Sequence, residues 1–378
     1  MKKNIFISAG ESSGDLHASN LVKKLKEIDK DFIFTGLGCE KMQNQGVRLI
    51  KKMDELAIVG VWEIISKLPL IMKLFGEVKK EIKRQKIDLA ILVDYPGFNL
   101  KLASIFKKNN IPCIYYITPQ FWAWGEWRVK KFKKIVDKAI VIFDFEKTFF
   151  QTRGVKAEFV GHPLLDEATS IDNQKNIKNH FGLMENDFVI GIAPGSREQE
   201  ILKILPVMAK ALKIIKSKKP DVKFLMSKTR DINMDIYKKI VQDIDIQITE
   251  ANIYDMLSAT DFVLCSSGTV TLQIALSEKP MLITYITSFL TTFLAEIVLK
   301  IPFIGLVNII AKKEIVPEAL TCNANPKYLA DKTLEIINSD EKMQQMKEDL
   351  RAVKNRLGNP GAAKRAAETV YTFLKQQQ

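Results

Sequence analysis

The chain has 378 residues, of which 47% are hydrophobic and 27% charged, and its formal net charge is +13. This composition is ordinary for a soluble protein, and the length allows two domains with full cores. A basic surface suits nucleic acid, anionic lipid or phosphorylated substrates, and the charge alone does not choose among them.

Cysteine, histidine and hydropathy patterns exclude several other classes. The four cysteines are scattered without a CxxC pair, which predicts buried free thiols in a reducing compartment. The three histidines show no metal-ligand spacing, so neither a metal site nor a cofactor is predicted. The longest uncharged run, Pro280 to Ala295, is shorter than the roughly 18–20 residues of a spanning helix. The apolar run after Met1-Lys-Lys is too short for a signal peptide. We therefore expect a cytoplasmic protein, either free or on a membrane surface.

Strands and helices alternate along the whole chain. In the first half, apolar runs predict strands at Asn4–Ser8, Phe32–Gly36, Leu89–Val93, Cys113–Ile117, Ala139–Phe143 and Ala157–Val160, with helices such as Leu16–Ile28 and Leu100–Asn109 between them. The pattern restarts with predicted strands at Phe188–Ala193, Lys223–Met226, Gln247–Thr249, Phe262–Cys265 and Met281–Tyr285. Two such series predict an α/β protein with two doubly wound, Rossmann-like domains and a cleft between them.

The domain boundaries are predicted from breaks in this pattern. The join lies in Gly161–Lys178, which gives a first domain of residues 1–170 and a second of residues 171–345. Residues 346–378 form a helical tail that is interrupted at Gly358-Asn-Pro-Gly361. This tail is expected to pack on the first domain or on a partner subunit.

The first turn, Ser8-Ala-Gly-Glu-Ser-Ser-Gly-Asp15, lies between a predicted buried strand and a helix. Parallel sheets bind ligands in the crevice outside their strand ends. A phosphate cradle would not normally contain the two carboxylates of Glu11 and Asp15, whereas a sugar with several hydroxyls would accept them. Ser13, Gly14 and Asp15 are therefore predicted to orient a substrate.

Asp94 follows the apolar run Leu89–Val93, at the sheet edge where the first turn is expected. A carboxylate in that position is a candidate general base if its neighbours raise its pKa. An aspartate at this position is also typical of an Asx turn, or of a helix cap near Asn99.

Two further turns open helices in the second domain. Pro194-Gly-Ser-Arg197 combines a flexible backbone with a guanidinium that can hold phosphate, at a helix start whose N–H groups attract anions. Ser267, Gly268 and Thr269 offer donors at another helix start, and Gln273 lies one turn further on. Together they predict a clamp for a diphosphate with Gln273 in reach of a ribose, although an ordinary N-cap explains the serine and threonine.

Two stretches favour a membrane surface. The first, Val61–Phe75, is rich in large apolar groups, and its predicted lipid contacts are Trp62, Ile65, Leu68, Leu70, Ile71 and Phe75. The second joins Trp122-Ala-Trp-Gly-Glu-Trp127 to the basic run Arg128–Lys134. Aromatics with lysines fit anionic lipid, and they also fit stacking on single-stranded nucleic acid. The alternative interpretation of the first stretch is a core helix, and that of the second is a solvated helix face.

These motifs, in this order, resemble those of the lipid-A-disaccharide synthases. The resemblance extends from residue 4 to about 330. It rests on the motifs Ser8–Asp15, Val93–Asn99, Thr118–Trp124, Phe159–Leu164, Pro194–Arg197, Ser266–Gln273, Lys279–Met281 and Leu306–Ala311.

The resemblance implies the glycosyltransferase-B fold and transfer of 2,3-diacylglucosamine from its UDP derivative to 2,3-diacylglucosamine 1-phosphate. The anomeric centre would be inverted, UDP released, and no metal required. The family's base matches Asp94, and its other functional positions match Glu11, Arg197 and Asn308. Glu11 is therefore a second catalytic candidate, and Asn308 is expected to bind the donor. The residues alone do not rank the carboxylates, so Glu11 or Asp15 is an alternative base in the same cleft. It also implies a peripheral site on the cytoplasmic face of the inner membrane. Nucleic acid is not an expected partner, and the oligomeric state is left open.

One departure from the family is Gln273, where a glutamate is usual. The amide keeps an acceptor oxygen but loses the charge, so we expect a weaker bond to the ribose of UDP. The sequence pattern disfavours two rival functions. A UDP-sugar 2-epimerase shares the fold but has no use for a lipid anchor. A non-catalytic RNA- or membrane-binding protein does not need two nucleotide-type turns.

Overall fold

The computed structural model describes residues 2–10, 12–53, 68–168, 177–286, 302–321 and 323–377. By its contacts the chain divides into two compact units. Met1–Leu165 and Leu357–Gln378 form the first unit, and Asp166–Arg356 form the second. The divisions thus fall at residues 165 and 356, whereas the sequence predicted domain bounds at 170 and 345. The predicted division of ligands between the domains, and the cleft between them, stay predictions.

The first unit contains one parallel sheet. Its strands are β1 (Lys3–Ala9), β2 (Phe32–Gly38), β3 (Arg48–Lys52), β4 (Leu89–Val93), β5 (Cys113–Tyr116), β6 (Lys138–Val141) and β7 (Ala157–Phe159). The strand order is β3-β2-β1-β4-β5-β6-β7, and every neighbouring pair is parallel. The central strand β4 is buried along its whole length, which explains its unbroken apolar sequence.

The second unit repeats this plan. Its strands are β8 (Val189–Ala193), β9 (Lys223–Ser227), β10 (Gln247–Thr249), β11 (Phe262–Ser266), β12 (Met281–Tyr285) and β13 (Glu318–Leu320). They form a parallel sheet of order β10-β9-β8-β11-β12-β13. The predicted α/β class with two Rossmann-like sheets is confirmed.

Helices connect the strands of both sheets. They are α1 (Ser12–Ile28), α2 (Glu40–Asn44), α3 (Leu68–Arg84), α4 (Pro96–Lys108), α5 (Val129–Ile135), α6 (Asp144–Gln151), α7 (Leu164–Ala168), α8 (Ile177–His180), α9 (Glu198–Lys218), α10 (Met234–Val241), α11 (Ile253–Ser258), α12 (Thr269–Leu276), α13 (Leu306–Ala311), α14 (Pro326–Ile337), α15 (Asp340–Arg356) and α16 (Ala362–Lys375). No helix in the described part of the chain is long and apolar enough to cross a membrane.

The tail divides between the units. Helix α15 packs in the second unit and buries Met346, Leu350 and Val353. Helix α16 packs on α1 in the first unit, where it buries an apolar face that includes Val370 and Phe373. The break between these helices is the predicted one, because Gly358 and Gly361 adopt positive φ values that other residues avoid.

Two strands were missed by the sequence analysis. Strand β3 lies at a sheet edge, and three of its five residues are exposed, so it lacks a continuous apolar run. Strand β13 has only three residues and also lies at an edge. Short edge strands give no periodicity, so hydropathy could not show them.

One buried carboxyl group stands out in the first unit. Glu146 is buried on α6, and it accepts hydrogen bonds from Trp122 Nε1 at 3.0 Å and from the N–H groups of Ile142 and Phe143, both at 3.3 Å. Burial raises the pKa of this carboxyl from 4.5 to about 7, and the three donors oppose that rise. The folded protein therefore holds a proton on Glu146 at pH values where the unfolded chain has lost it.

This buried acid makes stability depend on pH. Between pH 4.5 and about 7 the folded state binds more protons at Glu146 than the unfolded state, so its contribution to stability falls as the pH rises. Relative to Glu146→Gln, wild type should lose about 3 kcal/mol of unfolding free energy between pH 4.5 and 7.5. Urea unfolding followed by tryptophan fluorescence measures this difference. Asp144→Asn, at an exposed position on the same helix, is the control and should leave the pH profile unchanged; an identical profile for Glu146→Gln would contradict the prediction.

Candidate active site

Each sheet reverses its strand order at one point. The reversal lies between β1 and β4 in the first sheet and between β8 and β11 in the second. Ala9 pairs with Val93, and Cys265 pairs with Ala193, so the loops that leave each pair of strands begin side by side. Open α/β sheets bind ligands in the crevice at such points. All four predicted turns start there.

The first turn contains a close backbone approach at Gly10. A Cβ atom added to Gly10 would lie 2.2 Å from the ring of Tyr95, which follows β4. Only glycine therefore fits, and the Tyr95 ring covers this part of the turn. Helix α1 begins two residues later, at Ser12.

The predicted substrate-orienting residues of this turn differ in exposure. Ser13 is exposed in the first turn of α1. Gly14 is buried, and an added Cβ would lie 3.9 Å from the Val93 carbonyl oxygen, so helix and strand are close here. Glu11 lies outside the described residues, and its catalytic role stays a prediction. So do the substrate contacts of Ser13 and Gly14.

Asp15 is engaged inside the protein. It is only 2% exposed, and its Oδ1 accepts hydrogen bonds from the N–H groups of Cys39 at 2.7 Å and Met42 at 3.4 Å. Its Oδ2 accepts another from the N–H of Lys41 at 3.0 Å. The carboxylate therefore caps the start of α2. These contacts account for its burial and favour a structural role over the predicted contact with substrate.

Asp94 lies at the same edge as the first turn. It is half-buried directly after β4, and its backbone N–H donates to the Tyr116 carbonyl at 2.9 Å. Its φ of 49° is left-handed, as is that of Tyr95 at 48°. The residue thus meets the positional requirement for a base: a carboxylate at the end of a central strand, beside the turn after β1.

A cavity of about 580 Å³ lies at the corresponding edge of the second sheet. The loops that follow β8, β9, β10 and β11 all line it. Of the residues predicted to bind the donor, Arg197, Ser267, Gly268, Thr269 and Gln273 line this cavity. The structure therefore brings together five of the six.

The turn after β8 is shaped by a glycine and a carboxylate. Gly195 has a φ of 137°, and an added Cβ would lie 2.9 Å from the Glu200 carboxylate. Glu200 Oε2 accepts the Ser196 N–H at 3.2 Å, while Arg197 Nη1 lies 3.6 Å from Glu200 Oε1. The Arg197 side chain is otherwise largely exposed at the N-terminus of α9. A guanidinium and a helix N-terminus favour an anionic group here.

The turn after β11 supplies a second helix N-terminus. Gly268 adopts a φ of 150° that favours glycine, and the space where a Cβ would point is open. Thr269, the first residue of α12, is also exposed. Ser267 Oγ donates to the Ile304 carbonyl at 3.4 Å. Two helix N-termini thus line one cavity, an arrangement that fits a diphosphate better than a single charge.

Gln273 is held by a tyrosine. Its side chain is hydrogen-bonded to the hydroxyl of Tyr254, a buried residue of α11, and burial raises the pKa of that hydroxyl above its ordinary range. The hydroxyl is therefore protonated at neutral pH. This contact uses part of the hydrogen-bonding capacity of Gln273 and leaves the remainder for a ligand in the cavity.

Asn308 does not line this cavity and is fully buried. Its Oδ1 accepts the N–H groups of Ile315 and Val316 at 2.8 and 3.1 Å, and its Nδ2 donates to the Val316 carbonyl at 2.8 Å and to Glu318 Oε1 at 2.7 Å. Glu318 Oε2 in turn accepts the N–H of Ile304 at 2.9 Å. Since the Ile304 carbonyl accepts from Ser267, Asn308 supports the cavity through this chain of bonds. The predicted contact of Asn308 with the donor stays a prediction.

The sequence analysis missed several cavity residues, among them the charged and amide side chains of Lys228, Arg230, Glu250 and Asn252. Lys228 is nearly buried, and its Nζ lies 3.0 Å from Glu250 Oε1. These residues follow β9 and β10, both of which were predicted. Searching every strand end for polar side chains would have found them.

The stretch predicted to contact lipid is partly core. Phe75 is 7% exposed and its ring stacks on Phe98 with centroids 4.8 Å apart, so the structure assigns it to packing rather than to lipid contact. Leu70 and Ile71 are half-buried against the same core. Leu68 is exposed, as is the neighbouring Met72 at 61%. Trp62 and Ile65 lie outside the described residues.

The aromatic segment after β5 is exposed at its tip. Trp127 is 77% exposed, and Trp124 is exposed with the Arg128 guanidinium 4.9 Å from its ring centre. Trp122, by contrast, is fixed by its bond to Glu146. The lysines of α5 extend the positive charge beside these indoles.

Within the described ranges, no group of three or more histidine, cysteine, aspartate or glutamate side chains could hold a metal ion.

Comparisons with known proteins show the family to which this chain is similar. The sequence model of the lipid-A-disaccharide synthetase family matches residues 5–371. A lipid-A-disaccharide synthase of Syntrophus aciditrophicus is 36% identical over 376 residues, which cover 99% of this chain and 98% of the relative.

Solved structures share the fold. The UDP complex of S. aureus MnaA superposes with a TM-score of 0.68 at 14% identity, over 99% of this chain and 97% of the other. The calicheamicin glycosyltransferase CalG4 superposes with a TM-score of 0.66 at 11% identity, over 99% of both chains. At such low identity these structures show the glycosyltransferase-B fold and no more.

The contacts of Asp15 predict a stability effect. Replacing it with asparagine removes the charge and one of two acceptor atoms beneath three N–H donors, so Asp15→Asn should lower the free energy of unfolding by about 2 kcal/mol. Urea unfolding measures the loss. Asp29→Asn, which alters an exposed bond at the other end of α1, is the matched control and should change stability by no more than about 0.5 kcal/mol. Equal effects of both variants would rule out the capping role.

Proposed function

We propose that in this chain the second unit binds the UDP-sugar donor and the first unit supplies the general base. The chain belongs to the lipid-A-disaccharide synthase family and is a glycosyltransferase of lipid A biosynthesis. The donor is UDP-2,3-diacylglucosamine and the acceptor is 2,3-diacylglucosamine 1-phosphate. The products are a β-1,6-linked disaccharide 1-phosphate and UDP. The observation that supports this division most directly is the cavity at the edge of the second sheet, where two helix N-termini and Arg197 come together.

In this proposal the second unit binds UDP. The diphosphate lies against the N-termini of α9 and α12, where Arg197 and the N–H groups near Gly268 and Thr269 neutralise its charge. The same groups stabilise the negative charge that grows on UDP as it leaves. Gln273, held by Tyr254, bonds the ribose. The cationic side chains of the cavity, Arg197, Lys228 and Arg230, outnumber the carboxylates of Glu200 and Glu250 by three to two, which favours an anionic ligand.

The first unit supplies the base. Asp94 takes the proton from the 6-hydroxyl of the acceptor as that oxygen attacks the anomeric carbon of the donor. The bond from the attacking oxygen to this carbon forms on one face while the bond to the UDP oxygen breaks on the other, so the configuration inverts. The proton ends on Asp94 and the bonding electrons leave with UDP. Ser13 and Glu11 are proposed to orient the acceptor.

Association with a membrane surface completes the proposal. Both substrates carry acyl chains, and the described part of the first unit exposes Leu68, Met72, Trp124 and Trp127 beside many lysines. Apolar side chains with lysines fit an interface with anionic lipid. We therefore propose a peripheral site on the cytoplasmic face of the inner membrane. An epimerase activity is disfavoured, because an epimerase of soluble sugars has no use for such a surface.

Asp94→Asn tests the base. The variant keeps the shape of the side chain but cannot accept the proton, so kcat should fall by about 10²–10⁴-fold. The assay is UDP release from the diacylated donor and acceptor in detergent. Calorimetry should show UDP binding within about twofold of wild type, because the proposed UDP site contains no part of Asp94.

Asp144→Asn, an exposed carboxylate of the same unit, serves as the control. A near-normal rate for Asp94→Asn would move the base to another carboxylate, with Glu11 the next candidate. No release of UDP by wild type with confirmed lipid substrates would overturn the assignment of the substrates.

Gln273 offers a second test, on affinity. A glutamate there would accept bonds from the Tyr254 hydroxyl and from the ribose with full negative charge, and such bonds are about twice as strong as neutral ones. Gln273→Glu should therefore tighten UDP binding by about five- to tenfold, and Gln273→Leu should weaken it by a similar factor. Calorimetric titration with UDP measures both. Weaker binding by the glutamate variant would show that the amide donates to the ligand instead of accepting.

A further inference from the structure

The backbone at Asp94 has an unusual conformation. Asp94 and Tyr95 are consecutive residues with left-handed φ values of 49° and 48°, and neither is glycine. Such residues occupy this region rarely, and two in succession persist only where the surroundings enforce the conformation. The direction of the Asp94 side chain depends on it.

A buried asparagine holds this turn through hydrogen bonds to its carbonyl oxygens. Asn99, on α4, is fully buried, and its Nδ2 donates to the carbonyl oxygens of Val93 at 3.0 Å and Asp94 at 2.8 Å. Its Oδ1 accepts the hydroxyl of Ser8, near the end of β1, at 2.8 Å. One amide therefore joins the ends of β1 and β4 on either side of the strand reversal.

A tyrosine holds the same carbonyl from the next strand. Tyr115 lies on β5 and is fully buried, and its hydroxyl donates to the Asp94 carbonyl at 2.7 Å. Burial and the nearby Asp94 charge raise the pKa of this hydroxyl well above its ordinary range, so it keeps its proton. The Asp94 N–H is fixed as well, by the Tyr116 carbonyl at 2.9 Å. Both peptide groups of Asp94 are thus held by neighbouring elements.

We propose that Tyr115 and Asn99 are positioning residues for Asp94. They act on its carbonyl oxygen to hold the left-handed turn, and this turn aims the carboxylate at the proton it accepts. The inference rests on the proposed role of Asp94 as the base. A general base depends on distances of hydrogen-bond length, so a small change in the turn changes kcat while leaving the binding of UDP untouched.

Tyr115→Phe separates positioning from folding, because it removes one hydroxyl and keeps the buried ring. We expect kcat for UDP release to fall about tenfold, with KM for both substrates and Kd for UDP within about twofold of wild type. The effect should depend on Asp94: in the Asp94→Asn background, adding Tyr115→Phe should change the residual rate by less than twofold. Tyr371→Phe, which removes another tyrosine hydroxyl of the first unit on α16, should behave as wild type in kcat.

The outcomes distinguish the two proposals. If Asp94→Asn lowers kcat while Tyr115→Phe leaves it unchanged, or lowers it equally in both backgrounds, positioning through Asp94 is overturned and the base remains. If Tyr115→Phe raises KM and leaves kcat unchanged, the tyrosine contributes to binding and the inference is also overturned. If Asp94→Asn itself retains a normal kcat, the proposed base and the positioning inference fall together.

Discussion

The reversal of strand order at the centre of each sheet is the constraint on which the rest depends. Where neighbouring strands send their helices to opposite faces, the strand ends are left uncovered and a crevice forms. In the first unit this occurs between β1 and β4, and in the second between β8 and β11. The turns and helices that directly follow these strands contain the proposed base, Asp94, and the proposed UDP ligands Arg197, Gly268, Thr269 and Gln273.

The two crevices are lined by different chemical groups, and this difference fits their proposed roles. In the second unit, Gly195 and Gly268 open the backbone at the starts of two helices, which provides N–H donors for an anion. In the first unit the turn carries carboxyl and hydroxyl groups, and Tyr95 covers Gly10. A leaving diphosphate needs fixed positive charge, whereas proton transfer needs one carboxylate at a defined distance.

Sequence patterns predicted the fold and most positions of the site, because apolar runs mark buried strands and polar turns follow their ends. They could not show what a polar side chain contacts. Asp15 and Asn308 have the residue types of ligand-binding groups. Asp15, however, accepts from backbone N–H groups 24 to 27 residues away, and Asn308 bonds backbone groups 7 and 8 residues away and the Glu318 side chain. Only the folded chain brings these together. Lys228 and Glu250 were missed because their turns contain no glycine motif.

A buried asparagine supports the crevice in each unit. Asn99 joins the ends of β1 and β4, and Asn308 bonds the segment 315–318, from which Glu318 reaches the backbone that accepts from Ser267. Both amides use donor and acceptor atoms at once, which neither a carboxylate nor an apolar side chain can do. Asparagine is short enough to be held rigidly, so it transmits the position of one strand end to the next. The two asparagines therefore hold the proposed ligand-binding turns in place.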